Sequence, residues 1–168
     1  MVNLASGAIA DPRLILSEEE LDRALEVFLL AESALWRTAD VALERTGAAA
    51  RLGRGHVRAA FLLKRRPGLG VQELARLTGL SKQGASRVLK ELIDAGYAEV
   101  ESGPLDGRRR PTHLTEKGRT FEAEIASALR AMLASAYREG GIDAAPGARR
   151  ILAALAGPRV LSRRKEAP

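Results

Sequence analysis

The sequence predicts a mainly α-helical protein that carries one small β-hairpin. Through most of residues 17–155, apolar residues recur every three or four positions, which is the spacing of amphipathic helices. The spacing changes to every second residue over residues 97–101, and glycine or proline separates one periodic stretch from the next. A chain of 168 residues, 46% of them hydrophobic, is long enough for one domain with helical extensions.

The first predicted helix covers residues 17–46 and begins at a capping box. The hydroxyl of Ser17 can accept from the backbone N–H of Glu20, and the Glu20 carboxylate can reach back. Residues 1–16 show no sustained period and are expected to form a flexible arm. The helix far exceeds the ~11–12 residues of an average helix, so we expect it to pack against something outside its own domain. Its apolar stripe consists of Leu21, Leu25, Phe28, Leu29, Leu35, Trp36, Ala39, Val41 and Ala42.

Three shorter helices are predicted over residues 53–66, 71–77 and 81–95. Gly79 allows a tight turn between the second and third of them. Ser81 is expected to cap the third, because a serine hydroxyl can accept from an N–H of the first helical turn. This third helix should bury one face, formed by Ala85, Val88, Leu89, Leu92 and Ile93.

A hairpin and two further helices complete the predicted elements. Residues 97–101 and 111–114 are expected to pair as antiparallel strands around a tip rich in glycine and arginine. Thr115 should cap a long helix, and residues 146–155 should form a short last helix. Residues 158–168 are predicted to be a flexible basic tail. The apolar stripe of the long helix consists of Phe121, Ile125, Ala128, Leu129, Met132, Leu133 and Ala136.

Several classes of protein are excluded by composition. The chain has no cysteine, which excludes disulfides, thiolate metal sites and thiol redox chemistry. With only His56 and His113 available, no metal or other cofactor is expected. Neither a signal peptide nor an apolar run near the ~18 residues of a membrane span is present, so a cytoplasmic protein is predicted. No catalytic triad, paired carboxylates or phosphate-cradling loop stands out, which argues against an enzyme.

Positive charge is concentrated in the middle of the chain. Residues 51–120 carry 15 basic and 7 acidic side chains, whereas residues 1–50 carry 4 basic and 9 acidic ones. This asymmetry favours a polyanionic partner for the middle segment. The alternative is a solvated surface in an arginine-rich protein, since most of the basic residues are arginine.

Two helices joined by a turn at Gly79 and followed by a hairpin form a helix-turn-helix with a wing. The outer face of the second helix of this pair is cationic and polar, as expected of a helix that enters the major groove of DNA. We expect Gln83 and Arg87 to read purine edges and the other residues of this face to contact phosphates or to bridge to DNA through water. The alternative is a surface helix with an ordinary polar face. The face consists of Lys82, Gln83, Ser86, Arg87 and Lys90.

The predicted wing tip carries three adjacent arginines, Arg108, Arg109 and Arg110. Their mutual repulsion would be relieved in a narrow minor groove, where the negative potential is concentrated. Asp106 can hold Arg108 through a bidentate pair. A solvated basic loop is the alternative interpretation.

The sequence also favours a homodimer. The first, fifth and last helices carry more apolar stripe than one small winged domain can cover, so a single chain would leave exposed patches. Two-fold symmetry would place two recognition helices ~34 Å apart, which is one turn of DNA. The alternative is that these helices pack on one another within one chain.

Over roughly residues 17–155 the chain resembles the MarR family of winged-helix transcription regulators, most strongly over residues 68–118. The Asp106-x-Arg108 wing signature and the Leu114-Thr115-Glu116-Lys117-Gly118 stretch carry the resemblance, together with residues 67–75, 80–83 and 92–97. Residues 52–58 and 81–83 are most similar to the PetP-like branch of that family.

The resemblance implies a homodimer that straddles a pseudo-palindromic operator. Residues 81–90, including Ser81, would form the recognition helix, Arg108 would enter the minor groove, and Arg110 would support it on the DNA backbone. The chain departs from the common wing pattern at Gly107 and Pro111. The implied organisation is a flexible arm (1–16), an N-terminal dimerisation helix (17–50), a winged helix-turn-helix domain (51–118), C-terminal dimerisation helices (119–157) and a flexible basic tail (158–168).

Relatives of this kind release DNA when a small aromatic or anionic effector binds between the dimer helices and the DNA-binding lobe. The candidate lining residues fall at the junction of the first two helices, although a core tryptophan and a capping or core histidine are alternative roles for two of them. These residues are Trp36, His56, Arg58 and Phe61.

The sequence therefore predicts a cytoplasmic, nucleoid-associated regulator that binds double-stranded DNA with sequence specificity. An architectural DNA-binding protein with little base preference is the main alternative, and the ratio of specific to random binding distinguishes the two. A third possibility is a protein-interaction module that uses the winged fold to bind an acidic partner.

Overall fold

A computed structural model describes residues 16–101 and 111–157 and confirms the predicted helices and hairpin. The predicted arm, apart from residue 16, and the predicted basic tail lie outside the described residues. The elements in chain order are α1 (Glu18–Arg45), α2 (Arg54–Arg65), α3 (Val71–Thr78), α4 (Lys82–Asp94), β1 (Ala98–Val100), β2 (Thr112–Leu114), α5 (Glu116–Gly140) and α6 (Ala144–Ala156).

The chain divides into two compact units, one ending at Ala34 and the other beginning at Leu35. In the first unit the predicted capping box is present: Glu20 N donates to Ser17 Oγ at 3.2 Å, and Ser17 N donates to the Glu20 carboxylate at 2.9 Å. In the described part of this unit, residues 16–34, the large apolar side chains are exposed, at Leu16, Leu21, Leu25, Val27, Phe28, Leu29 and Leu30.

The second unit contains a continuous hydrophobic core built by α2, α3, α4, α5 and the hairpin. Its largest fully buried side chains are Leu63, Leu74, Leu92 and Ile125. From α1 this core receives Trp36, Ala39, Ala42 and Leu43. Val41, a member of the predicted apolar stripe, is 49% exposed, whereas Leu43, which the stripe omits, is buried.

Strands β1 and β2 pair antiparallel, with Glu99 opposite His113. The hairpin is joined to the loop after α2, because Gly68 N donates to Thr112 O at 3.2 Å. At the end of the described part of the hairpin, His113 Nε2 lies 3.2 Å from Glu101 Oε2. The tip-ward end of the described strands is thus attached to the loop that follows α2.

The residues Leu114–Gly118 form the junction between α4, β1 and α5, and their contacts there account for the residue types found in this stretch. Thr115 caps α5 by accepting from Gly118 N, and its hydroxyl donates to Gly96 O at 2.7 Å. Lys117 Nζ donates to Ala95 O at 2.9 Å. A Cβ at Gly118 would lie 1.8 Å from Tyr97 O, so only glycine lets the two backbone segments approach this closely.

An ion pair between the exposed Arg65 of α2 and a buried carboxylate of α5 was not predicted. Glu122 is 5% exposed, and its Oε1 accepts from Arg65 Nη1 at 2.8 Å. The same Arg65 guanidinium lies 3.2 Å from the centre of the Phe61 ring. Pairing is what makes the buried carboxylate tolerable, since an unpaired buried charge is strongly destabilising.

The second half of α5 and all of α6 expose apolar side chains. The predicted stripe of α5 is buried at Phe121 and Ile125 but exposed at Leu133, and no residue of α6 is buried. The exposed residues of this apolar surface are Leu133, Ile142, Ile151, Leu152 and Leu155. Within the described ranges, no helix is long and apolar enough to cross a membrane.

Candidate nucleic-acid interface

Helix α4 is held in the core by one face. Ala85, Leu89 and Leu92 are buried, and Ser81 Oγ accepts from Gly84 N at 3.0 Å as the predicted N-cap. Before it, Gly79 adopts the left-handed conformation with φ of 74°, which ends α3 and turns the chain into α4. This is the geometry of a helix-turn-helix.

The opposite face of α4 is exposed and brings the predicted DNA-contacting residues together. Two of its cations are engaged within the helix: Arg87 Nε donates to Glu91 Oε1 at 2.8 Å, and Lys90 Nζ pairs with Asp94. These i,i+4 pairs lie at the surface and contribute little to stability. The exposed residues, which we call the recognition face, are Lys82, Gln83, Ser86, Arg87 and Lys90.

Glu91 connects the recognition face to the interior. Its second oxygen lies 2.7 Å from His56 Nε2, while His56 Nδ1 accepts from Gly53 N at 3.0 Å. The hydrogen bond from Arg87, followed by the one from His56, lowers the pKa of the Glu91 carboxyl below its usual range. His56 therefore has a capping role in α2, one of the alternatives that the sequence offered.

The four candidate effector residues are already engaged in contacts. The Arg58 guanidinium lies 4.6 Å from the centre of the Trp36 ring, and Trp36 is buried. Phe61 is half-buried beneath Arg65, and His56 bonds Gly53 and Glu91. A cleft of about 260 Å³ lies elsewhere, lined by Gly47, Ala48, Ala50, Arg51, Leu52, Ala95, Tyr97 and Lys117.

An ion pair between Asp40 of α1 and Arg54 joins the start of α2 to α1, beside Trp36. Both carboxylate oxygens of Asp40 accept from Arg54, whose guanidinium lies 5.5 Å from the Trp36 ring centre. The hydrogen bond from Arg54 lowers the pKa of the Asp40 carboxyl below its usual range.

The wing residues Asp106, Arg108, Arg109 and Arg110 lie outside the described residues. Among residues 16–101 and 111–157, no three histidine or carboxylate side chains are grouped so that they could hold a metal ion.

The sequence and the structure both match known regulators. A model of the MarR family matches residues 52–109. The chain is 37% identical to the HTH-type transcriptional regulator PetP of Rhodobacter capsulatus, over 86% of this chain and 85% of PetP.

Two solved structures share the fold. A MarR-family transcriptional regulator from Rhodococcus sp. RHA1 has a TM-score of 0.68 at 17% identity, covering 84% of this chain and 99% of that one. The Mycobacterium tuberculosis MarR-family protein Rv2887, in complex with salicylic acid, has a TM-score of 0.57 at 24% identity, covering 82% and 95%.

These matches confirm the predicted fold class, and the relation to PetP covers most of both chains. The regulators of this family are DNA-binding proteins rather than enzymes, as the sequence predicted. With its helix-turn-helix, its hairpin and a relative of this closeness, the chain belongs to the MarR family of winged-helix transcription regulators.

Proposed function

We propose that this regulator binds a pseudo-palindromic operator as a homodimer and discriminates its sequence through α4. The observation that carries the proposal is the two-sided character of α4. One side is buried in the core, and the other exposes cationic and polar side chains along the helix. A helix of this kind can enter the major groove without disturbing the core.

Base reading is assigned to Gln83 and Arg87, because each can make two hydrogen bonds to a purine edge. Ser81, Lys82, Ser86 and Lys90 are assigned to phosphate contacts, which fix the register and supply the salt-dependent part of the affinity. Arg108 is assigned to the minor groove, with Asp106, Arg109 and Arg110 supporting it at the wing tip.

The homodimer is supported by the apolar surface of α5 and α6. Leu133 of α5 and Ile151, Leu152 and Leu155 of α6 are exposed, and several large exposed apolar side chains mark a protein interface. We assign the dimer contacts to residues 17–50, which expose large apolar side chains between Leu21 and Leu30, and to residues 119–157, with the winged domain at 51–118 between them.

Leu155→Glu should convert the dimer to monomers, because a carboxylate at an apolar interface would be desolvated without a partner. Sedimentation equilibrium measures the molecular mass of the variant. Arg150→Glu is the matched control, because Arg150 is exposed on the other side of α6 and the substitution changes the charge twice as much. A dimeric Leu155→Glu variant would contradict the assignment of this surface.

A small aromatic anion is the proposed effector class. Rv2887 was solved with salicylic acid, and in this chain Arg58 and Arg54 lie against Trp36, which combines cations with an aromatic face. His56 and Phe61 complete the proposed site. Salicylate is the probe: it should release the operator from the wild-type protein but not from Arg58→Ala.

The decisive experiment selects bound duplexes from a random pool. We expect a motif with two-fold symmetry and half-sites about one DNA turn apart, bound at least ~10³-fold more tightly than random DNA. A ratio near one would favour the architectural protein, and salt-sensitive binding to an acidic protein but not to DNA would favour the interaction module. The proposed regulator would act in the cytoplasm, at the nucleoid.

A further inference from the structure

Three hydrogen bonds in series join the backbone at the start of α2 to Arg87. Gly53 N donates to His56 Nδ1 at 3.0 Å, His56 Nε2 meets Glu91 Oε2 at 2.7 Å, and Arg87 Nε donates to Glu91 Oε1 at 2.8 Å. Because Nδ1 accepts, the proton of a neutral imidazole is on Nε2, from which it is donated to Glu91. Each donor in the series therefore meets an acceptor.

The inner end of this series is fixed by close packing. His56 is only 9% exposed, and a Cβ at the neighbouring Gly55 would lie 3.3 Å from Val88 Cγ2 of α4. The first turn of α2 thus lies directly against the recognition helix. At the outer end, the Arg87 side chain is 80% exposed. The Glu91 carboxylate thus connects the buried His56 to the exposed side chain of Arg87.

The bond to Glu91 uses the Nε–H of Arg87, so the terminal amino groups form the edge that can face a base. Those two nitrogens match O6 and N7 of guanine. An exposed arginine otherwise loses much rotamer freedom when it binds, and a side chain held in its bound orientation loses less.

We propose that His56 is a positioning residue for base recognition: it holds Glu91, and Glu91 holds Arg87 in the orientation that reads a guanine. Discrimination at one operator position then depends on a buried α2 side chain that does not touch DNA. The inference rests on the proposed function, and it gives His56 a role separate from effector binding.

Two substitutions separate this role from helix capping. His56→Asn keeps an acceptor near the position of Nδ1, so it retains the bond from Gly53 N while removing the contact with Glu91. His56→Gln keeps a donor near the position of Nε2 and retains the contact with Glu91. If His56 acts only as a helix cap, His56→Gln should be the more harmful substitution. If His56 positions Arg87 through Glu91, His56→Asn should be the more harmful one for base discrimination.

The experiment measures Kd for the selected operator, for operators with one base pair exchanged, and for random duplex. The base pair that Arg87 reads is the one whose exchange no longer changes the Kd of the Arg87→Ala variant. At that position His56→Asn should lose roughly three- to tenfold in discrimination, the cost of ordering one long side chain on binding, with random binding unchanged. His56→Gln should retain most of it, and thermal unfolding checks that both variants are folded.

A double-mutant cycle tests whether His56 acts through Arg87. In the Arg87→Ala background, His56→Asn should have no further effect on discrimination, because coupled residues are not additive. Glu91→Gln should also reduce discrimination, since a neutral amide holds the guanidinium less strongly. Asp94→Asn is the matched control: it removes one charge from the same helix beside Lys90, and should change the affinity for all duplexes alike.

The outcomes distinguish the two levels of the proposal. If wild-type protein discriminates but His56→Asn discriminates equally well, or if its loss adds fully to that of Arg87→Ala, the positioning role is wrong and the proposed function stands. If wild-type protein shows no preference among duplexes, the proposed function fails and the positioning role fails with it.

Discussion

Arg87→Ala should reduce the discrimination between operator and random DNA by about 1–3 kcal/mol, the contribution of one bidentate base contact. Arg87 is in the middle of the recognition face, and its side chain is 80% exposed although its Nε is bound to Glu91. The measurement is a pair of Kd values, on the selected operator and on a random duplex, at several salt concentrations.

Arg87→Lys sharpens this test. It keeps the positive charge but lacks the planar fork that matches guanine, so random binding and its salt slope should be retained while discrimination falls. Lys90→Ala is the converse control, because a lost phosphate contact should weaken all duplexes alike and reduce the salt slope by about one unit. Equal losses on all sequences for both arginine variants would contradict direct reading by α4.

Gly118→Ala should destabilise the fold by about 3 kcal/mol or more, at or above the upper end of typical overpacking effects. The added Cβ would lie 1.8 Å from Tyr97 O, and a backbone oxygen cannot rotate away as a flexible side chain can. The strand–helix junction would have to move, which would disturb the cap made by Thr115. Thermal unfolding at fixed protein concentration should show a decrease of roughly 10 °C in Tm.

Gly147→Ala is the matched control for this prediction. Gly147 lies inside α6, and within one chain a Cβ there would meet nothing within 4 Å, so both alanine variants are compared in the monomeric Leu155→Glu background. Alanine in place of a helical glycine should stabilise by about 0.5–1 kcal/mol, because the unfolded chain loses conformational freedom. If the two alanine variants had similar melting temperatures, the close approach at Gly118 would not constrain the junction.

The elements that the sequence predicted well are those set by local chemistry. Ser17, Ser81 and Thr115 each cap a helix as predicted, because a cap depends on residues three positions apart. The exposed face of α4 was also predictable, since helical periodicity alone separates it from the buried face.

Contacts between distant segments were not predictable in this way. The bond between His56 and Glu91 joins residues 35 positions apart, and the pair of Arg65 with Glu122 joins residues 57 apart. One available signal was the i,i+4 spacing of Arg87 and Glu91. Burial at the edge of an apolar stripe was not predictable either. Val41 is exposed, because the apolar character of a side chain there does not show which side of the helix packs against the core.

The hydrogen bonds from Thr115 to Gly96 O and from Lys117 to Ala95 O fasten the end of α4 to the start of α5. In a dimer joined through the C-terminal half of α5, each recognition helix would move together with the α5 to which it is bonded. Because these bonds hold each α4 to its own α5, the subunit contact alone would set the distance between the two recognition helices, so the operator should tolerate little variation in the number of base pairs between its halves.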